Sequence, residues 1–415
     1  MIRVSTSMIF NAGVKAINTQ TATLLHLQQQ VASGRRILTP ADDPVGAARA
    51  LEVTQAKDVT AQYAINHDNA KSALGLEEAQ LTSVNGIMAR LKELTVQAGN
   101  GALSASDRRG VAVELRARFD ELLGIANATD GAGQYLFAGY MGSTKPFGAS
   151  IDAMIQNPTL EATYQGDDGQ RRLQVSATRF LEIGDSGNDV FMRIKNGNGY
   201  FATDYAAVNA GTAVIDAGNV TDTAAWNALV DKNLSVNFTV SGGVTSYDIV
   251  DGLGTTLLAG GVYQANQPIV IPGAGASITI SGAPAGGDSF SLAPSTSQSL
   301  FRTLANLVGA LENGPTGAGS QARYSNEIGL ALTNLDQAND NILRVRAAIG
   351  SRLNEIDSLS SVNQDLQLQY QQTLSNLQDL DYAKAISDLT RKQTDLEAAQ
   401  KSFMRVSQLS LFNYL

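Results

Sequence analysis

Three clusters in this sequence hold residue types that could do chemistry. They are Asp42–Asp43 in VASGRRILTPADDPVGAARA (31–50), Asp167–Asp168 in YQGDDGQRRLQV (164–175) and Arg108–Arg109; two histidines, His26 and His67, stand apart. Paired carboxylates can serve as acid and base or hold a cation, but either task needs further ligands at close spacing, and none flank Asp42–Asp43. A structural reading accounts for every residue of that stretch. Gly34 is a helix stop that supplies a left-handed backbone. Thr39-x-x-Asp42 resembles a capping box with Asp in place of Glu, and Asp43 before Pro44 is an N-cap followed by proline at the first helical position. The stretch is therefore expected to be a joint between two helices, built by Gly34, Thr39, Asp42, Asp43 and Pro44.

The other clusters fare no better as active sites. The Asp167–Asp168 loop lacks the alternating ligands and closing Glu of a calcium loop, and reads as an Asp-Gly hairpin turn. His26 and His67 have no partner at metal-ligand spacing, and Arg108–Arg109 reads as a solvated helix face. There is no cysteine, so disulfides, thiolate metal sites and cysteine nucleophiles are excluded. No phosphate loop, dinucleotide fingerprint or nucleophile elbow occurs. The expectation is a protein with no catalytic residues, no metal and no cofactor.

The elements that carry these residues fall into three parts. Of 39 glycines, 23 lie in residues 151–320 and only Gly329 and Gly350 in the last 95 residues; the nine prolines avoid 1–39, 45–145 and 316–415. Ala-, Leu- and Gln-rich stretches without proline favour helix, and the Gly-rich middle favours strands and turns. Ile342, Val345, Ile349, Leu353, Ile356, Leu359, Val362, Leu366 and Tyr370 recur at spacings of three and four. After a weaker patch at Asp379–Asp381 the stripe resumes at Ile386, Leu389, Leu396, Phe403 and Val406. At the other end, Ile17, Leu24 and Val31 sit seven apart with Leu27 on the intervening turn. Further helices are expected over 45–98, 104–127 (capped by Ser104 or Ser106, with Asp107 in the first turn) and 299–311. In the middle, Leu234, Val236, Phe238 and Val240 alternate before a Ser-Gly-Gly turn, and Tyr247 and Ile249 alternate after it, which is a hairpin signal. The fold class expected is α+β multidomain: a long antiparallel helical bundle formed by both chain ends, with a β-rich inserted domain.

Charge and hydropathy narrow the partners. The net charge of −9 divides as +3 for 1–50, −2 for 51–150, −8 for 151–320 and −2 for 321–415. An acidic insert repels phosphate backbones, so no nucleic-acid partner is expected. No run of about 18 apolar residues occurs, so no membrane span is expected. The N-terminus is a poor secretory signal, which by itself points to the cytoplasm.

With this arrangement of elements, the chain resembles the bacterial flagellin superfamily. The residues that carry the resemblance are VASGRRILTPADDPVGAARA, GQYLFAGYMGSTKPF (133–147) and a C-terminal arm ending SQLSLFNYL. They cover about 1–150 and 320–415; SGAPAGGDSFSLAP (281–294) is similar to a segment of hook-associated proteins. Asp-Asp-Pro, where flagellins usually have Asp-Asp-Ala, and the Asn-Tyr-Leu ending point to the hook-associated branch.

The resemblance revises the compartment to the extracellular flagellum, reached through the type III export apparatus with an export chaperone and without a cleaved signal peptide. It implies a structural adaptor at the hook–filament junction, a homo-oligomer ring between hook-associated protein 1 and flagellin. It also implies these parts: an N-terminal assembly arm and joint (1–44), bundle segments (45–150 and 299–380), a β-rich outer domain (151–298) and a C-terminal assembly arm (381–415). The assembly interface expected is Ile17, Leu24, Leu27 and Val31 with Ile386, Leu389, Leu396, Phe403 and Val406. Flagellin itself and a surface glycan-binding module are the alternatives. An enzyme ranks behind both, since no constellation supports one.

Overall fold

A computed structural model describes residues 6–315 and 319–408 of the chain. Its eight α-helices are α1 (Thr6–Ser33), α2 (Pro44–Ala98), α3 (Ala105–Ala126), α4 (Ile151–Gln156), α5 (Thr223–Ala228), α6 (Leu300–Asn313), α7 (Ser320–Gln378) and α8 (Tyr382–Gln408). The fifteen strands among the described residues all lie between Phe147 and Gln298. The fold is α+β, with helical ends and a β-rich middle. Two compact units divide it, one of residues 1–67 and 357–415, the other of residues 68–356, so α2 and α7 each contribute to both.

In the larger unit the helices form because apolar residues recur on one face and polar groups close the ends. At α3, the Asp107 N–H donates to Ser104 Oγ (3.2 Å) and the Ser104 N–H donates back to the Asp107 carboxylate (3.1 Å), a complete capping box. Leu74, Leu81, Met88, Leu91 and Leu94 of α2 are fully buried. Here α2 and α7 run antiparallel, tied by Glu78–Arg346 (2.6 Å), Lys92–Asp336 (2.5 Å) and the Tyr324 hydroxyl donating to Ala98 O (2.8 Å). The helix α6 is buried from Leu300 to Leu311 except at Asn306, and only its C-terminal Glu312 and Asn313 are otherwise exposed. Its Phe301 packs with Phe119, Phe147 and Phe191.

The β-rich part has its own core. Strand Leu234–Ser241 pairs antiparallel with Val244–Asp251 through a Gly242–Gly243 turn in which both glycines have positive φ. That two-residue turn matches the strand twist, and glycine takes its positive φ at little steric cost. The pair continues into a five-stranded sheet in the order Thr256–Val262, Val244–Asp251, Leu234–Ser241, Ser289–Pro294, Phe201–Tyr205. Phe201, Trp226, Val236, Phe238, Ile278 and Phe290 are among the side chains that fill its core.

One expected turn takes a different form. The Asp167–Asp168 loop does not close a hairpin, because Thr163–Tyr164 pairs with Phe147–Gly148 and Arg172–Gln174 pairs with Phe180–Glu182. Its carboxylates are used elsewhere. Asp167 accepts the Tyr140 and Gly169 N–H groups, and Asp168 accepts from Asn188 and Arg193. Local Asp-Gly propensity is outweighed by other pairings, a longer-range one for Thr163–Tyr164 and a nearer hairpin for Arg172–Gln174.

Candidate assembly interface

The smaller unit is built from both chain ends. Gly34 follows α1 at φ +72°, the left-handed region, and its N–H donates to Gln30 O (2.8 Å). The chain then meets the break between α7 and α8. The Arg36 N–H donates to Gln378 O (2.7 Å), the Leu380 N–H donates to Gly34 O (2.9 Å) and the Arg36 guanidinium donates to Leu377 O (2.7 Å). Both helix breaks thus lie side by side and satisfy each other's free backbone groups.

The two aspartates divide the capping work. The Asp43 carboxylate accepts the Gly46 N–H (2.8 Å), making Asp43 the N-cap of α2 with Pro44 at the first position. Asp42 reaches back to the Leu38 and Thr39 N–H groups (3.0 and 2.8 Å), while its own N–H donates to Thr39 O (3.0 Å). Thr39-x-x-Asp42 is therefore a turn ahead of the helix with only the aspartate half of a capping box, because α2 begins at Pro44, four residues later than that box requires. His26 Nε2 lies 3.0 Å from Asp42, and Arg36 lies 3.3 Å from Asp43. The Thr39 N–H holds the Asp42 carboxyl below its ordinary range, and the Gly46 N–H does the same for Asp43. Among the described residues, no group of three or more His, Asp or Glu could hold a metal ion.

Beyond the joint, α1 and α8 pair antiparallel. The rings of Phe10 and Phe403 lie 5.2 Å apart, and Gly13 faces the Phe403 ring so closely that an added Cβ would stand 2.5 Å from it. Ile17, Leu24, Leu27, Val31, Leu389, Leu396 and Phe403 are half-buried, whereas Ile386 and Val406 are 51 % and 47 % exposed. Met8, Ile9, Phe10, Leu25 and Met404 are exposed as well. Of the Ser-Gln-Leu-Ser-Leu-Phe-Asn-Tyr-Leu ending, everything after Gln408 lies outside the described residues.

Burial separates the two units. Among the described residues of the smaller one, Ala50 and Ala385 are the only apolar side chains that are buried apart from glycine. Every one of the largest fully buried side chains, Phe119 to Leu94, belongs to the larger unit. Exposed Val45, Leu51, Val59 and Ile65 on α2 and Val362 and Leu368 on α7 extend the uncovered apolar surface of the smaller unit.

The larger unit also exposes apolar side chains, Val208 at 83 % and Val230 at 92 % among them, but over a filled core. A cavity of about 410 Å³ lies beside α6, α7 and strand Phe201–Tyr205. Its polar groups pair with one another: the Tyr205 hydroxyl donates to Glu327 (2.7 Å) and Gln298 donates to Thr303 (2.8 Å). Arg302 is spent on the Met154, Asn157 and Leu160 carbonyls. Trp226 is buried against Phe201, which removes the one tryptophan from any exposed aromatic platform for a sugar. Sequence reasoning missed α7's amides: Asn326 accepts the Ile215 N–H (2.8 Å), Asn334 accepts the Gly197 N–H (2.8 Å), and Asn341 donates to the Asp189 and Val190 carbonyls.

Comparison with known proteins decides the family. The bacterial flagellin N-terminal helical region matches residues 4–141. The flagellar hook-associated protein 3 of Escherichia coli (strain K12) is 27 % identical over 413 residues, 99 % of each chain. The crystal structure of flagellar hook-associated protein 3 from Legionella pneumophila is 31 % identical with a TM-score of 0.72, covering 78 % of this chain and 98 % of that one. The chain belongs to the flagellar hook-associated protein 3 family. A structure described as the flagellar junction protein FlgL, also from Legionella pneumophila, is similar at 30 % identity and a TM-score of 0.71, covering 80 % of this chain and all of that one. These relatives are structural proteins of the bacterial flagellum, and that is the class and location of this chain.

Proposed function

We propose that the chain is the adaptor of the hook–filament junction, a homo-oligomer ring seated between hook-associated protein 1 and flagellin and joined to its neighbours by its terminal helices. The observation that carries this reading is the missing core of the smaller unit. Its helices carry regular apolar stripes, yet among the described residues only Ala50 and Ala385 become buried apolar side chains beside glycine. Helices of that length take most of their stability from tertiary packing, so the surface that completes them comes from other subunits. Residues 1–44 and 381–415 act as assembly arms, with Ile17, Leu24, Leu27 and Val31 against Ile386, Leu389, Leu396, Phe403 and Val406 and the same set on neighbours. Residues 45–150 and 299–380 are the supporting bundle, and 151–298 the outer domain.

The chain would reach this position by type III export with its chaperone, unfolded and without a cleaved signal, and fold outside the cell. A sequence with no cysteine is compatible with that route, since no thiol can cross-link on the way.

Deleting the gene in its host tests the reading. The adaptor predicts bare hooks with flagellin shed into the medium, because exported flagellin has nothing to polymerise on. Bare hooks with no flagellin outside would make this chain the flagellin. Normal filaments would overturn both.

A further inference from the structure

The larger unit buries a carboxyl that the assembly reading does not use. Glu77 of α2 is 2 % exposed, and its Oε1 accepts the Asp185 N–H (3.1 Å). Asp185, itself buried, lies just after strand Phe180–Glu182; its carboxylate takes both Arg352 nitrogens of α7 (2.9 Å each) and the Gln170 amide (2.8 Å). The one guanidinium hydrogen-bonded in the cluster is thus committed to Asp185.

The other charged groups around Glu77 do not neutralise it by contact. Arg171 and Asp130 line a cavity of about 350 Å³ beside it, and Asp130 caps the Ala132 and Gln134 N–H groups. Arg171 and Arg352 act on Glu77 only through space, and Glu182 lies in the field of Arg352. Burial pushes the Glu77 carboxyl up to about 8, and the Asp185 charge adds to the rise, against the Asp185 N–H and the two arginines. Near neutral pH the folded protein therefore keeps a proton there.

We infer that Glu77, Asp185 and Arg352 form a proton-operated latch, which fastens the turn at residues 183–187 to α2 and α7 and lets it go when Glu77 ionises. Loss of the proton leaves two buried carboxylates with one bonded guanidinium. The cheapest way to solvate the second charge is to admit water through the adjoining cavity, which requires the 183–187 turn to move off α2. That turn also donates the Gly187 N–H to Phe137 O (2.9 Å) and holds Ser186 against Tyr164 (3.1 Å), so its release would loosen those contacts too.

The test is hydrogen exchange of the full chain at pH 6 and pH 9, corrected for intrinsic rates, on the wild type and Glu77→Gln. Glutamine keeps the shape and acceptor of the protonated acid and cannot ionise. The latch predicts at least a tenfold loss of protection across residues 183–187 in the wild type at pH 9 and none in the variant. Equal protection at both pH values in the wild type would overturn it, as would Arg171 swinging in to keep the turn closed, which reads out in the same way. A carbon-13 titration of the wild-type Glu77 carboxyl gives an independent check should the variant fail to fold. A midpoint near 8 supports the latch, and one near the ordinary carboxylate value contradicts it.

Discussion

At the scale of single residues, side chains in this protein act mainly by closing backbone. Asp43 is the N-cap of α2, so Asp43→Ala should leave the Gly46 N–H unbonded. Hydrogen exchange at residues 45–47 should then quicken roughly fivefold, while Asp43→Asn should restore most of the protection. Gly34 sits at φ +72° with the Tyr382 hydroxyl 2.9 Å from where a Cβ would stand. Gly34→Ala should therefore cost about 1–2 kcal/mol from the left-handed backbone alone, measured by denaturant unfolding. The Asp-Pro pair and the glycine were legible in the sequence because capping is a local rule. The Thr39-x-x-Asp42 box, set four residues ahead of the true N-cap Asp43, shows where that rule ends, since a turn and a helix start share the same residue types. Aspartates of the acidic middle segment also close backbone, both locally and across the β-rich part. Asp216 accepts the Gly218 and Thr279 N–H groups, Asp251 those of Leu253 and Thr255, and Asp288 those of Ala210, Gly211 and Ala285.

Between elements, the helices and the Leu234–Asp251 hairpin followed from periodicity, because apolar spacing encodes them directly. What the sequence concealed is how α7 meets the β-rich part. Asn326, Asn334 and Asn341 stand at polar positions of an amphipathic helix and look like a solvated face, yet each bonds the backbone of another segment. Asn326 is buried and also donates to Ala213 O, so Asn326→Ala should cost about 1–3 kcal/mol and strand the Ile215 N–H. The same loss of stability on unfolding by urea should be absent for an exposed polar position of that helix, such as Ser351. Glu77 was hidden for the same reason, as one of two glutamates in a stretch that reads as solvent-facing.

Its proton gives a signed pH dependence. The folded carboxyl lies near 8 and the unfolded one near 4.5, so the folded state binds the proton more tightly. The contribution is fully present below about 4.5 and is lost as pH rises towards 8, with a slope of up to about 1.4 kcal/mol per pH unit. Urea midpoints of the wild type relative to Glu77→Gln should therefore fall between pH 5 and pH 8. A constant difference would show that Glu77 is already ionised in the folded protein.

At the scale of the molecule, one chain carries two different degrees of completeness. The larger unit has aromatic clusters and capped helices, whereas the smaller unit has apolar stripes with almost nothing buried beneath them. The stripes were legible as helical repeats at both ends of the sequence. That α1 and α8 pair with each other and still leave Ile386 and Val406 open was not legible, because periodicity gives a face and not its occupant. Assembly of the arms with neighbouring subunits is the central claim, and the cysteine-free sequence makes it directly measurable. Single-cysteine variants Ile386→Cys and Val230→Cys would be reacted with a maleimide, first as the isolated chain and then in isolated flagella. Val230 is 92 % exposed in the β-rich part and serves as the reference. The account predicts that both react in the isolated chain, and that in flagella residue 386 becomes protected while residue 230 stays reactive. Equal reactivity of residue 386 in both states would contradict it.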